Sequence, residues 1–262
     1  MNLASLLRDL GWGALRVVSQ LGAMLLFALS FLKAGITPPL RGRRFVEEVY
    51  NQGFLSLIIV CISGLAVGLV LGLQGYNTLV RFGAEGALGT VVGLSLIREL
   101  GPVLTALLVV GRAGSATAAE IASMVTSEQL DGLRMMSIDP MDIIVAPKAL
   151  ALIFVMPILT TLFVLFGLAG AYFIGVGLMG LDAGVFISGL KSSVHFSDDI
   201  GGCYLKAILF GFLAGLIATF RGYNATPTAA GVSAATTSTV VITSVAVLIG
   251  DYFVTALWGF RI

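Results

Sequence analysis

Charge is scarce in this chain. Of its 262 residues only 11% are Asp, Glu, Lys or Arg, against about 25% in an ordinary soluble domain, so a water-soluble globular protein is excluded. The formal net charge is +1 and the densest basic group is Arg41, Arg43 and Arg44, too little for a nucleic-acid footprint. There are two cysteines, Cys61 and Cys203, both inside apolar runs, and one histidine, His195; these exclude a disulfide framework and a Cys/His metal site. No G-x-x-x-x-G-K-[ST] phosphate loop occurs, so the chain is not expected to bind and split ATP itself. Gly114-Ser115, set among Ala113, Ala116, Ala118 and Ala119, reads as close packing and not as a nucleophile elbow. What is abundant is apolar: 58% of residues, a mean hydropathy of +1.03, and 33 glycines spread through the apolar stretches. That profile predicts an all-α polytopic membrane protein.

A helix needs about 20 apolar residues to cross the hydrocarbon core, and Phe54 to Leu73 supplies them without a charge. The helix is expected to continue outward, giving a first span of 54–82. A second, 91–124, carries Arg98, Glu99, Arg112 and Glu120 and must be buried among other helices. The third is 149–178, the fourth 201–220 with Lys206, and the fifth 239–258 with Asp251. Ahead of these, Val17 to Leu32 is uncharged but only sixteen residues long. It suits an interfacial helix within a region 1–45 better than a crossing.

Basic residues set orientation. Five crossings place Arg8, Arg16, Lys33, Arg41, Arg43, Arg44, Arg112, Arg134, Lys148 and Arg221 on one side, and only Arg81, Lys191 and Arg261 on the other. The expectation is a cytoplasmic amino terminus and an external carboxyl terminus.

Gly64, Gly68 and Gly72 recur at i, i+4, i+8, leaving one stripe of the first span without side chains, and Gly211 and Gly215 repeat the spacing in the fourth. Helix packing accounts for such a stripe; a dimer seam or a sliding wall is the sharper alternative. Farther out, Leu71, Thr78, Leu79 and Phe82 share one helix face. That face packs against other helices or lines a cavity for an amphiphile.

Arg98, Glu99, Lys206 and Asp251 all fall roughly 10 Å below the outer surface at 1.5 Å per residue. Charges at that depth require partners, and opposite charges at one level can pair. The expected contact is Lys206 with Asp251, Arg98 or Glu99 nearby, acting as structural ion pairs or as a polar lock. In the outer loop Asp182 to Ile200, His195, Ser197, Asp198 and Asp199 are read as solvated.

Between the second and third spans, 127–139 reads as a short cytoplasmic helix. Thr126 followed by Gln129 fits a capping box, and Asp139-Pro140 a stop. Leu130, Leu133, Met135 and Met136 give it an apolar face beside the charged Glu128, Asp131 and Arg134. Such a helix either docks in a partner's groove or rests on the bilayer.

The segments Arg98-Glu99-Leu100-Gly101-Pro102, Gly111 to Ala116, Glu128 to Asp131, Met136 to Pro140, and Ala235-Thr236-Thr237 followed by Asp251 recur together in one known pattern. With these motifs in order over nearly its whole length, the chain resembles the MlaE family, permease subunits of bacterial ABC systems that move phospholipids between inner and outer membranes. The resemblance implies a homodimeric permease in the inner membrane, with an interfacial helix and five spans per chain and a periplasmic carboxyl terminus. It implies that Glu128, Gln129, Asp131, Leu133, Arg134, Met135 and Met136 dock on an ABC ATPase subunit, which binds the ATP and magnesium, so that this chain holds no cofactor. It implies a phospholipid cavity at the dimer interface, lined by the outer part of the first span. There Leu71, Thr78, Leu79 and Phe82 supply the apolar wall, and Gln74, Tyr76 or Asn77 meets the headgroup. An MCE-domain lipid-binding ring and a small STAS-domain protein complete the implied assembly.

An ion-coupled secondary carrier, relaying through Arg98, Glu99, Lys206 and Asp251, is the rival from another class. An intramembrane lipid enzyme is weaker, because no nucleophile and base stand out within a span.

Overall fold

Inside hydrocarbon every unpaired backbone group costs several kcal/mol, so an apolar run closes its hydrogen bonds within itself and becomes a helix. A computed structural model describes residues 3–36 and 42–259, and among them there is no strand. Eight helices follow in order: α1 (Leu3–Ile36), α2 (Gly42–Val80), α3 (Glu85–Thr126), α4 (Gln129–Met135), α5 (Met141–Leu178), α6 (Ala183–Ser193), α7 (Phe196–Tyr223) and α8 (Ala229–Gly259). Arg41 and Arg261, counted above for orientation, lie outside the described residues. We call the end of the bundle that carries Arg44, Arg134, Lys148 and Arg221 the basic side.

Six of these helices are long and apolar enough to cross a bilayer, α1 among them through Val18–Gly35. The chain is therefore a multi-pass membrane protein. Among the described residues, α1 packs against the basic-side halves of α5 and α7: Phe27 lies against Phe220 and Tyr223, Phe31 against Phe212, and Gly35 against Leu150.

Turn chemistry sets the helix ends. Gly83 (φ +63°) turns the chain after α2 and Gly180 (φ +74°) after α5, a left-handed conformation that glycine adopts without strain. Asp182 caps α6, its Oδ1 accepting from the Val185 N–H at 2.9 Å. At α4 the expected capping box does not form. Thr126 Oγ1 donates back to the Ala122 carbonyl at 2.9 Å, and the helix starts from Glu128, itself left-handed at φ 57°, without a side-chain cap. A threonine inside a helix has the i−4 carbonyl within reach, and that contact displaces the cap.

The core lies between α5 and its neighbours, around Leu96, Leu152, Met156, Leu159, Phe163 and Phe210. The glycine stripe of α2 is filled within the chain: Gly64, Gly68 and Gly72 face the backbone of Phe163, Gly167 and Ala171 of α5. A dimer seam on that stripe is thereby excluded, since its groove is occupied. Gly211 and Gly215 seat α7 on Ala149 to Met156 in the same way. By contrast α8 packs on α7 and α3 along a narrow strip and leaves Val241, Val245, Leu248, Phe253 and Leu257 exposed. The helices also run past the apolar windows, so α5 begins at Met141 and α7 at Phe196. Both extensions carry charged residues into the bundle.

Several helices widen for one turn to i→i+5 hydrogen bonding, at Tyr50–Phe54, Leu96–Leu100, Val110–Gly114 and Phe196–Ile200 among others. Such turns often mark functional positions. Here Leu96–Leu100 receives the buried Lys206, Phe196–Ile200 holds the buried Asp199, and the half-buried Arg112 of Val110–Gly114 reaches into Tyr50–Phe54.

Candidate functional site

Two ionic clusters sit at opposite ends of the bundle. In the one away from the basic side, Lys206 of α7 is almost wholly buried and its Nζ is the hub. It donates to Glu99 Oε2 at 2.7 Å, to the Arg98 carbonyl at 2.8 Å and to Thr255 Oγ1 at 2.7 Å, and it lies 2.8 Å from Asp251 Oδ1. An ammonium has three protons, and the first three acceptors take them. Asp251 is left with a charge contact that lacks an aligned hydrogen bond. Thr255 in turn donates to Glu99 at 3.2 Å. The structure thus brings Glu99, Lys206 and Asp251 together and joins α3, α7 and α8.

Arg98 takes a different partner. Its Nε donates to Asp199 Oδ1 at 2.6 Å, and Asp199 Oδ2 accepts from the backbone N–H of His195 at 2.7 Å. The expectation of a solvated loop is therefore corrected at one residue: most of 183–200 is helical and Asp199 is buried to 3% exposure, while His195, Ser197 and Asp198 are exposed as expected. A buried carboxylate must be paired, and Arg98 supplies the charge. Asp199 and Lys206 stand seven residues apart on one helix face, a spacing that shows once the fourth span is taken to begin at Phe196 and not at 201.

The end of α2 away from the basic side presents a mixed face, and the helix stops at Val80, short of the expected 82, so Phe82 stands in the turn that Gly83 closes. Phe82 is 80% exposed, Gln74, Asn77 and Thr78 are also exposed, and Leu71 and Leu79 are half-buried against the core. Tyr76 does not join this face. It lies about 140° round the helix from Leu71, at about 100° per residue, and turns into the bundle, where its hydroxyl donates to the Met179 carbonyl at 3.4 Å. Thr78 spends its hydroxyl on the Gln74 carbonyl at 2.8 Å, leaving its methyl to whatever meets the face.

On the basic side, α4 is pinned from beneath and bare on top. Leu130 is buried among Ile121, Ile143 and Ile144, and Leu133 is half-buried beside it. Arg134 Nη2 donates to the Tyr223 hydroxyl at 2.5 Å, its guanidinium lies 5.6 Å over that ring, and Nη1 donates to Asp131 Oδ1 at 2.7 Å. The Tyr223 contact first, and Asp131 after it, push the Arg134 pKa up from its ordinary value. Met135 and Met136 stand out at 89% and 63% exposure, with Glu128 and Gln129 exposed nearby.

A second ionic cluster, missed in the sequence, lies just inside α4. Lys148 is 4% exposed, and its Nζ donates to Glu48 Oε1 and Glu120 Oε2, both at 2.7 Å. Beside it Arg112 Nη1 reaches the Asn51 carbonyl at 2.8 Å and Ser56 Oγ at 3.1 Å, and Arg44 reaches the Ile143 carbonyl at 3.2 Å. Lys148 lies inside the third membrane helix, which begins at Met141 and not at the expected 149. The signal was a lone lysine interrupting the apolar stretch that begins at Ile143. Among the described residues no cluster of His, Cys, Asp and Glu is arranged to hold a metal ion, and both cysteines are free and buried.

The Permease MlaE family model matches residues 45–257. The chain is 47% identical over 212 residues to the intermembrane phospholipid transport system permease protein MlaE of Haemophilus influenzae, covering 81% of each. It is 37% identical over 257 residues to a probable ABC transporter permease protein of Rickettsia typhi, covering 98% of each. A probable ABC transporter permease protein of Synechocystis is 36% identical over 215 residues, 82% of this chain and 81% of its own length.

Proposed function

The chain belongs to the MlaE permease family, and from that premise we propose that it is the membrane subunit of an ABC transporter that moves phospholipids between inner and outer membranes. A partner ATPase supplies the free energy, and two copies of this chain convert it into a change of cavity shape. The observation that carries the coupling half of this reading is α4. It is a short helix held to the bundle by Leu130 and by the Arg134 to Tyr223 contact, with Met135 and Met136 bare at its tip. Flexible thioether side chains exposed on a helix suit a groove in a partner.

In this reading the basic side faces the cytoplasm of a bacterial inner membrane, and the outer end of α2 faces the periplasm. Two copies placed with those ends together enclose Leu71, Thr78, Leu79 and Phe82 around acyl chains, while Gln74 and Asn77 meet the headgroup. Exposure of Phe82 in the single chain supports this, since an aromatic ring that far out has no partner of its own. Tyr76, turned inward, serves the wall and not the lipid. An MCE-domain ring receives or delivers lipid at the periplasmic mouth, and a STAS-domain protein accompanies the ATPase. ATP and magnesium are bound by the ATPase, and no cofactor is assigned to this chain.

The ion-coupled alternative draws less support from the geometry. All three Lys206 protons are engaged, which suits a lock better than a relay. The test is reconstitution of the chain with its ATPase in vesicles, reading transfer of labelled phospholipid. ATP-dependent transfer is expected; transfer that follows an ion gradient and ignores ATP would overturn the proposal.

A further inference from the structure

We infer that Lys148, with Glu48 and Glu120, is a positioning joint that carries movement of α4 into the α2 span, and that the Glu120 arm of this joint opens and closes during transport. The inference rests on the transport reading above and names the residues through which coupling passes.

Connectivity is the first observation. Glu120 lies six residues before the end of α3, about 9 Å at 1.5 Å per residue, and Lys148 lies seven residues into α5. The two therefore flank α4 in the chain, so that α3, α4 and α5 form one unit on the basic side. Glu48 belongs to the amphipathic start of α2, outside that unit. Lys148 bonds both carboxylates at 2.7 Å and is thus the bolt between the docking unit and the root of the first span.

A second link runs parallel to it. Arg112 of α3 donates to the Asn51 carbonyl and to Ser56 Oγ, holding the widened turn Tyr50–Phe54 from its own widened turn Val110–Gly114. Gln52 closes the network by donating to Glu48 Oε2 at 3.3 Å. A wide turn is a place where a helix changes direction, so the bolt sits where α2 can swing.

Asymmetry is the third observation. The Glu120 side chain is 53% exposed, whereas that of Glu48 is 18% exposed and that of Lys148 5%. A buried ammonium stripped of every partner is prohibitively unfavourable. Here the Glu120 carboxylate can withdraw into water while Lys148 keeps Glu48. One arm holds and the other is releasable, which is the arrangement a reversible joint needs. A hydrophobic trio would pack as well but would have no second, hydrated position for one member.

The experiment uses the complete complex in vesicles, measuring ATP hydrolysis and phospholipid transfer on the same preparation. Glu120→Gln removes the releasable charge and leaves the Lys148 to Glu48 pair. Hydrolysis is expected to persist while lipid moved per ATP falls about fivefold or more, the lower end of ordinary coupling factors. A merely structural role predicts that both activities scale together with the amount of complex assembled, and an unchanged ratio in Glu120→Gln overturns the inference. Lys148→Gln strands Glu48 and risks failing to assemble, so Lys148→Arg is the second variant; it keeps the charge and should restore a ratio near wild type. A wild-type complex without ATP-driven transfer would instead refute the transport reading on which the inference stands.

Discussion

A single methyl group placed at Gly68 tests the central packing contact of the molecule. A Cβ there would lie 1.9 Å from the Gly167 carbonyl oxygen and 2.7 Å from its Cα, while ordinary contact begins near 3.4 Å. Neither atom belongs to a side chain that can turn away, so the α2 and α5 backbones must part by about 1.5 Å at the crossing. A gap of about 0.5–1 Å already forfeits a quarter to a half of a dispersion well. Between membrane helices dispersion is the main attraction, because lipid tails are as apolar as the side chains they would replace. We expect Gly68→Ala to destabilise by about 2–3 kcal/mol, at the upper end of overpacking costs. At roughly 2–4 °C per kcal/mol for a chain of this size, the melting temperature in detergent should fall by about 5–10 °C. The stripe grades the effect: the added Cβ comes to 2.6 Å of the Phe163 carbonyl at Gly64 and only 3.0 Å of Ala171 Cα at Gly72. Gly64→Ala should therefore cost less than Gly68→Ala, and Gly72→Ala least of the three. Gly111, with nothing within 4 Å of its Cβ position, is the control, where alanine should be neutral or slightly stabilising through helix propensity. The assay is loss of the monodisperse size-exclusion peak after heating. A Gly68→Ala protein that melts with the Gly111→Ala control would refute the close crossing.

Three further outcomes are expected. Lys206→Met leaves the half-exposed Glu99 and the partly buried Asp251 facing each other without their shared cation and should cost about 3 kcal/mol, the low end for a broken buried pair because Glu99 keeps contact with solvent; the triple variant Lys206→Met, Glu99→Gln, Asp251→Asn should recover part of that, and a triple that melts lower than the single contradicts the assignment. An exchange of Lys206 and Asp251 is not expected to rescue, because it sets a carboxylate against Glu99. In a double-mutant cycle, Arg98→Gln and Asp199→Asn should show a coupling of about 1 kcal/mol or more; additive effects would mean that the two do not pair. Met135→Ser with Met136→Ser should leave the melting temperature unchanged, since both side chains are solvent-exposed, and weaken capture of the ATPase about tenfold or more; undiminished capture would remove α4 from the docking surface.

Much of this molecule is written in local pattern. The uncharged run from Phe54, the in-span charges Arg98, Glu99, Lys206 and Asp251, and the short helix after Thr126 are all visible without a structure, because hydropathy and period depend only on neighbours in the chain. What escaped did so for a common reason. Lys148 and Asp199 sit within the first two turns of helices that begin ahead of their apolar windows, and a charge at the rim of such a window looks from the sequence like a solvent-facing residue. The capping box failed for a smaller reason: Thr126 has the Ala122 carbonyl within reach as soon as α3 extends to meet it.

By itself the sequence determined the class of the protein, the helical character of its spans, which end is basic, and which of its charges fall within spans. Those follow from the transfer of side chains between water and hydrocarbon, a property of each residue and its near neighbours. The tertiary structure alone decided partnership: that Arg98 goes to Asp199 and not to the Lys206 cluster, that the glycine stripe is filled by α5, that Tyr76 turns inward, and that Lys148 bolts Glu48 to Glu120. The Arg98 and Lys148 contacts to Asp199 and Glu48 join residues 101 and 100 positions apart. Which segments meet at that separation is set by how whole helices pack, through backbone approach at glycines and the need of each buried charge for an opposite one.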